Sequence, residues 1–290
     1  GYLVGVIIAA GIALRSDISD ISDRLGRASV FDLAAAGACS GAALLASMLA
    51  WRIIVNGMGA TVSVVGATHV FFVSQVGKYL PGSVWPAFVQ MEAGRSYGIA
   101  RAPNLASYAM TTLISLATAA LVAGVALGIS TSAHWLWLAL CMVVLMIVGV
   151  ACTPQWPHVV AKLPPRLARF APSEVPERSS LVKATSLLGV SWVLHGIQLA
   201  VLASAVGLSV DQLSLVSIGA TGIAMAGGLI VVLAPAGLGV RESLMIGLLG
   251  GRSPAATAAV ILSRAVLTVV DMLAALLGAG LGASTRRARR

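Results

Sequence analysis

The chain has 290 residues, of which 58% are hydrophobic and only 10% charged. A soluble domain carries about 25% charged residues, so these figures and a mean hydropathy of +0.96 exclude an ordinary soluble fold and point to an integral membrane protein. The net charge of +9 fits cytoplasmic loops that follow the positive-inside rule; with no zinc-ligand spacing and no aromatic-basic surface, no nucleic-acid partner is expected.

Ala, Val, Leu, Ile and Gly supply the hydrophobicity, as expected where small residues let membrane helices approach. Cys39, Cys141 and Cys152 lie in or beside apolar runs without paired spacing and read as small buried hydrophobes, with neither disulfide nor metal expected.

A spanning helix needs about 20 mostly apolar residues. The first fourteen residues are apolar and read as a truncated first membrane helix. The polar stretch Arg15 to Ser29 places Ile18, Ile21 and Leu25 at helical spacing, which predicts an amphipathic segment lying on the membrane surface. A second helix is expected from about Phe31 to Val55, then an apolar segment from Val62 to Val76 that ends in GKYLPGSVWP.

No helix continues through Gly77 to Pro86. Pro81 and Pro86 each remove a backbone donor and clash with the preceding turn. Val84 to Glu92 then reads as a half-helix, with Glu92 interfacial, and Asn104 to Ile129 as a full span. His134, Trp135 and Trp137 suit an interfacial turn before a helix that ends near Cys152.

Thr153 to Ser180 is Pro-rich and basic and reads as a linker, dividing the chain into a first half, 1–152, and a second, 181–290. The second half contains helices at about Leu181 to Val206 and Leu213 to Leu233. A second break, APAGLGVRES from Ala234 to Ser243, precedes another half-helix, Val240 to Leu249. The last helix, Pro254 to Leu281, leads to a basic tail.

The fold expected is therefore all-α and polytopic, with about six full transmembrane helices and two broken re-entrant hairpins. Paired Gly/Pro-interrupted segments in comparable places of two halves point to a transporter's binding site. With a cytoplasmic N-terminus and both broken segments treated as hairpins, the cytoplasmic side receives Arg52, Arg95, Arg101, five basic residues of the linker region and four of the tail. Arg15, Arg24, Arg27 and Arg252 fall outside, so both termini are expected in the cytoplasm. The hairpins would then enter from opposite sides and the halves would be inverted repeats.

SQVGKYLPGSVW (Ser74 to Trp85), with APAGLGVRES and then ILSRAVLTVVD (Ile261 to Asp271), resembles the lysylphosphatidylglycerol synthase transmembrane-region family. These are flippase-like membrane domains related to that of the bacterial multiple-peptide-resistance factor. The chain is similar to stand-alone members without the aminoacyl-transferase domain. The resemblance implies a lipid translocase of the bacterial plasma membrane, linked to cell-envelope assembly. Where many relatives carry a Gly-Glu pair and an Arg, this chain has Trp85, Pro86 and Val89, so an aminoacyl-lipid substrate does not follow.

Charges inside a bilayer are costly and are functional candidates by default. Lys78, at the end of a half-helix, is expected to meet a phosphate or snorkel to the interface. Arg241 has the planar fork that suits a phosphate diester. Glu242 fits the positive end of the helix dipole and is expected to pair with Arg241 or Lys78. Arg264 and Asp271, seven apart on one helix face, are each expected to pair with another helix, and Asp271 could take a proton in a coupled cycle.

Tyr79 and Trp85 flank the break and are expected to line a lipid-chain cavity or plug the hairpin. His69 and His195 read as membrane histidines bonded to a neighbouring helix, with a proton relay as the alternative. No enzyme signature and no nucleotide-binding fingerprint is present, so no cofactor and no catalysis are expected.

The leading expectation is translocation of a phosphate-bearing lipid, such as a polyprenyl-phosphate-linked sugar or an anionic phospholipid, with Lys78 and Arg241 on the head group. The alternatives are a secondary carrier for a small anion and a scaffold for an envelope glycosyltransferase.

Overall fold

The computed structural model describes residues 18–80, 84–130, 176–209, 211–230, 239–251 and 253–288. Among them the fold is all-helical and contains no strand. The elements are α1 (Ile18–Leu25), α2 (Val30–Gly57), α3 (Val64–Ser74) with a 3₁₀ turn (Gln75–Tyr79), α4 (Trp85–Arg95), α5 (Arg101–Ser130), α6 (Arg178–Ala205), α7 (Leu213–Ile230), α8 (Val240–Leu248) and α9 (Pro254–Ala288).

Four of these, α2, α5, α6 and α9, are long and apolar enough to cross a membrane. At about 1.5 Å per residue, the 28 residues of α2 span the hydrocarbon core with length to spare. Large apolar side chains stay exposed along the same helices, among them Leu113, Val190, Val269 and Leu276, an outer surface suited to lipid tails. The other two expected full spans fall on residues 1–17 and 131–175, outside the described residues, as do most of the linker and residues 231–238 of the second break.

Local chemistry sets where the helices begin. Ser29 caps α2: its Oγ accepts from the Asp32 N–H at 3.2 Å, and Asp32 Oδ2 accepts from the Ser29 N–H at 2.9 Å. Ser63 caps α3 by accepting the Gly66 N–H at 3.1 Å. At α8, Gly239 takes a positive φ of 89°, and Glu242 accepts its N–H at 2.7 Å.

α3 and α4 run antiparallel as a helical hairpin. A Cβ on Gly66 would meet the Tyr97 ring, Ser74 reaches Gln90, and a Cβ on Gly77 would lie 2.6 Å from the Pro86 nitrogen. The pairs 66/97, 74/90 and 77/86 step inward towards the break. Leu80 is extended (φ −85°, ψ 144°), the conformation that a following proline imposes.

The helices join through close small-residue crossings and buried polar links. α2 lies along α6, where Ser191 Oγ donates to the Ala43 carbonyl at 2.9 Å and sits 2.9 Å from Ser47 Oγ. Trp51, fully buried, donates Nε1–H to Ser107 of α5 at 3.0 Å. α6 meets α7 at Gly196 against Ile218, and α7 meets α5 at Gly222, where a Cβ would lie 2.6 Å from the Ala119 carbonyl oxygen. α9 meets α3 at Gly278, whose carbonyl oxygen is 2.8 Å from His69 Nδ1, so His69 is bonded to a neighbouring helix as expected.

These pairings map onto themselves when the two halves are exchanged. Matching α2, α3, α4 and α5 to α6, α7, α8 and α9 turns the α5–α7 contact into α9–α3, and α3–α4 into α7–α8. The same exchange turns α2–α5 into α6–α9, and α2–α6 into itself.

Three expectations need correction. The amphipathic segment forms α1, but its apolar face is covered by protein. Ile21 is 8% exposed and packs with Ala203 of α6, with Val206 just past its end, and with Ala255, Ala258 and Ala259 of α9. Arg24 Nη1 donates to the Val206 carbonyl at 3.1 Å, satisfying an end that α6 leaves open, so α1 is anchored to the bundle. α9 also continues past Leu281 to Ala288, carrying part of the basic tail into the helix, and α5 begins at Arg101, ahead of Asn104.

Candidate functional site

The 3₁₀ turn, α6, α7, α8 and α9 enclose a cavity of about 110 Å³. At ~30 Å³ per water this is room for a few waters. Its polar lining comes from Lys78 and Tyr79 of the turn, His195 and Gln198 of α6, Arg241 of α8, and Arg264 and Asp271 of α9. Asp271 lies near the middle of the span Pro254–Ser284, so the cavity sits far from both ends of α9.

The turn forms because Gly77 allows the chain to pass against Pro86, and it leaves Lys78 and Tyr79 facing α9. Lys78 Nζ is 2.9 Å from Asp271 Oδ2 and 3.0 Å from Oδ1; Tyr79 donates its O–H to Oδ2 at 2.8 Å. Asp271 is 6% exposed, so the ammonium and the phenol stand in for water around a buried carboxylate.

Arg264, one face along on α9, pairs with Glu242 of α8 at 3.4 Å. The expected pairing of Glu242 with Arg241 or Lys78 is therefore not formed. Successive helical residues do not face each other, and Lys78 is engaged by Asp271. Glu242 also accepts the Gly239 N–H, which fixes the start of α8. The expectation that Arg264 and Asp271 each reach another element is met by these two pairs.

Arg241 lines the cavity, and its Nε is buried without a hydrogen-bond partner among the described residues. Nδ1 of His195 is in the same condition in the same cavity. His195 is thus not bonded to a neighbouring helix through Nδ1, unlike His69; its ring lies 5.9 Å from that of Trp192. Below it, Gln198 and Ser263 bond each other across α6 and α9 at 3.0 Å.

Trp85 does not line this cavity. It starts α4, is 40% exposed and packs edge-on against Phe88 at 6.1 Å. Glu92 lies on the exposed end of α4 and bonds Arg95 at 3.0 Å and Arg101 at 3.1 Å. Sequence reasoning underweighted α6. Trp192, His195 and Gln198 recur every three residues in an apolar helix, which places them on one face.

Lys78, Arg241 and Arg264 face the carboxylates of Asp271 and Glu242, so the pairs leave one cation in excess. A buried cavity with that balance favours an anion. Compared with curated proteins, the chain matches none. Compared with protein families, residues 2–275 match the family described as Lysylphosphatidylglycerol synthase TM region. The match spans nearly the whole of a chain whose helices are long and apolar enough to cross a membrane, and the chain belongs to the lysylphosphatidylglycerol synthase transmembrane-region family.

Proposed function

We propose that this protein is a translocase for a phosphate-bearing lipid, with a polyprenyl-phosphate-linked sugar and an anionic phospholipid as the head-group classes that fit. The carrying observation is the cation excess in a cavity midway along α9, between the α3–α4 hairpin and the α7–α8 pair. The head group enters this cavity while the hydrocarbon tail stays in the bilayer. No covalent step is needed.

The exchange of helix pairings between the halves supports alternating access by rocking of two repeats. With both broken pairs taken as hairpins, the distribution of basic residues supports cytoplasmic termini, and inverted halves entered from opposite sides follow; the family resemblance supports a bacterial plasma membrane.

Reconstitution into vesicles carrying fluorescent phosphatidylglycerol or a fluorescent polyprenyl phosphate tests the reading. Wild type is expected to exchange at least one probe between leaflets faster than empty vesicles, and Arg241→Gln to lower that rate. Wild-type rates equal to empty vesicles for both probes would contradict it.

The cavity volume favours a second reading, a carrier for a small soluble anion at the same position. Uptake of inorganic phosphate with no movement of either lipid probe separates the two.

A further inference from the structure

Buried polar atoms are almost always hydrogen-bonded, and one that is not calls for a water, an ion or a ligand. Among the described residues, four buried side-chain polar atoms lack a partner: Ser130 Oγ, Ser217 Oγ, Arg241 Nε and His195 Nδ1. Only the last two line the cavity. They come from different helices, α8 and α6. A charged donor and an imidazole nitrogen, both without partners on residues that line one small cavity, call for a polar group that can bond both.

Lys78 does not have this vacancy. Its ammonium touches both oxygens of Asp271. Moving it to a ligand would strip a buried carboxylate of its counter-ion, a step that costs far more than leaving it in place. Arg264 is likewise engaged by Glu242.

We propose that the bound oxyanion is held by Arg241 Nε and His195 Nδ1, across α8 and α6, and that Lys78 serves as the counter-ion of Asp271 instead of as the phosphate ligand. The ligand group is a phosphate. One of its oxygens accepts from Arg241 in a charge-assisted bond. At His195 either tautomer fits such a head group: a protonated Nδ1 donates to a phosphate oxygen, and a bare Nδ1 accepts from the P–OH of inorganic phosphate or a monoester, or from a glycerol or sugar hydroxyl beside a diester. With Nδ1 bare, His195 is a specificity residue that favours a head group able to donate to it over a simple halide, which can only accept. The inference rests on the lipid-carrier reading only for the source of the phosphate.

Solid-state ¹⁵N NMR of the full chain, labelled at its histidine nitrogens, tests it. The four histidines are His69, His134, His158 and His195. The His195 resonances are assigned by their loss in His195→Gln, or by elimination with the other three variants if that one does not fold. Spectra are recorded in phosphate-free maltoside micelles alone, with added inorganic phosphate, and with added phosphatidylglycerol.

The expected result is movement of the His195 Nδ1 resonance with at least one of the two phosphate sources, saturating with concentration. Arg241→Gln should weaken the apparent affinity about ten- to a hundredfold, the loss of one charge-assisted hydrogen bond. The double variant Lys78→Met/Asp271→Asn should weaken it less. A His195 signal unmoved by both sources, or a larger loss in the double variant than in Arg241→Gln, would overturn the assignment. If inorganic phosphate moves the signal while no lipid probe is translocated, the lipid reading fails and this assignment stands.

Discussion

The ammonium of Lys78 lies 2.9 Å from Oδ2 of Asp271 and ties the broken turn after α3 to the middle of α9, across 193 residues of chain. The carboxylate is buried and the ammonium is not: the side chains are 9% and 38% exposed. The energetic stake therefore belongs mainly to Asp271, which loses its water on folding and takes Lys78 and Tyr79 in exchange.

Lys78→Met removes the counter-ion and keeps the apolar stem. It is expected to destabilise the protein by about 1–3 kcal/mol, below the cost of breaking a fully buried pair because Lys78 is partly exposed. The double variant Lys78→Met/Asp271→Asn should recover most of that loss. Thermal unfolding in one detergent reads both; a double variant no more stable than the single would show that the pair is not the source of the effect.

Gly77→Ala places a Cβ 2.6 Å from the Pro86 nitrogen, in the backbone of the opposite arm of the hairpin. The arms must separate, at about 1–3 kcal/mol. Gly41→Ala, on α2 with nothing within 4 Å of the added Cβ, is the matched control and should be neutral or slightly stabilising. Equal melting temperatures for the two variants would count against a closed hairpin.

Ile21→Ala tests whether α1 rests on protein. Ile21 packs against α6 and α9, so truncation should cost about 2 kcal/mol. A segment lying on lipid would show almost no change in the melting temperature of the bundle.

Much of this fold was legible from composition and punctuation alone. The four long apolar helices follow from length and hydropathy, and the hairpin from Pro81, Pro86 and Gly77. α1 was misplaced because Ile18, Ile21 and Leu25 define an apolar face without saying whether lipid or α6 covers it. At the site, charge in an apolar run drew attention to Lys78, Arg241, Glu242, Arg264 and Asp271; four of them line one cavity, and Glu242 pairs with Arg264 beside it. Their pairing was not legible, since it depends on which face of α8 turns to α9. Trp85 was drawn in by its nearness in sequence to Lys78, although the chain reverses between them.

Glu92 sits at the exposed end of α4, outside the four spanning helices. Hydrogen bonding from Arg95, followed by that from Arg101, holds its carboxyl below the usual carboxylate range. A lowered folded pKa gives a contribution that is present above the ordinary value of 4.5 and is lost as pH falls through the lower folded value. Glu92→Gln should therefore differ from wild type in melting temperature near neutral pH, and the difference should shrink in acid. A difference that grows in acid would reverse the assigned sign.

On the proposed function, a phosphate-bearing head group occupies the cavity beside Arg241. Native mass spectrometry of the purified protein, wild type beside Arg241→Gln, with the released lipids identified by mass, tests this most directly. A phosphate-bearing lipid is expected to stay with wild type and to be lost from the variant. The same bulk lipids in equal amounts on both proteins would contradict it.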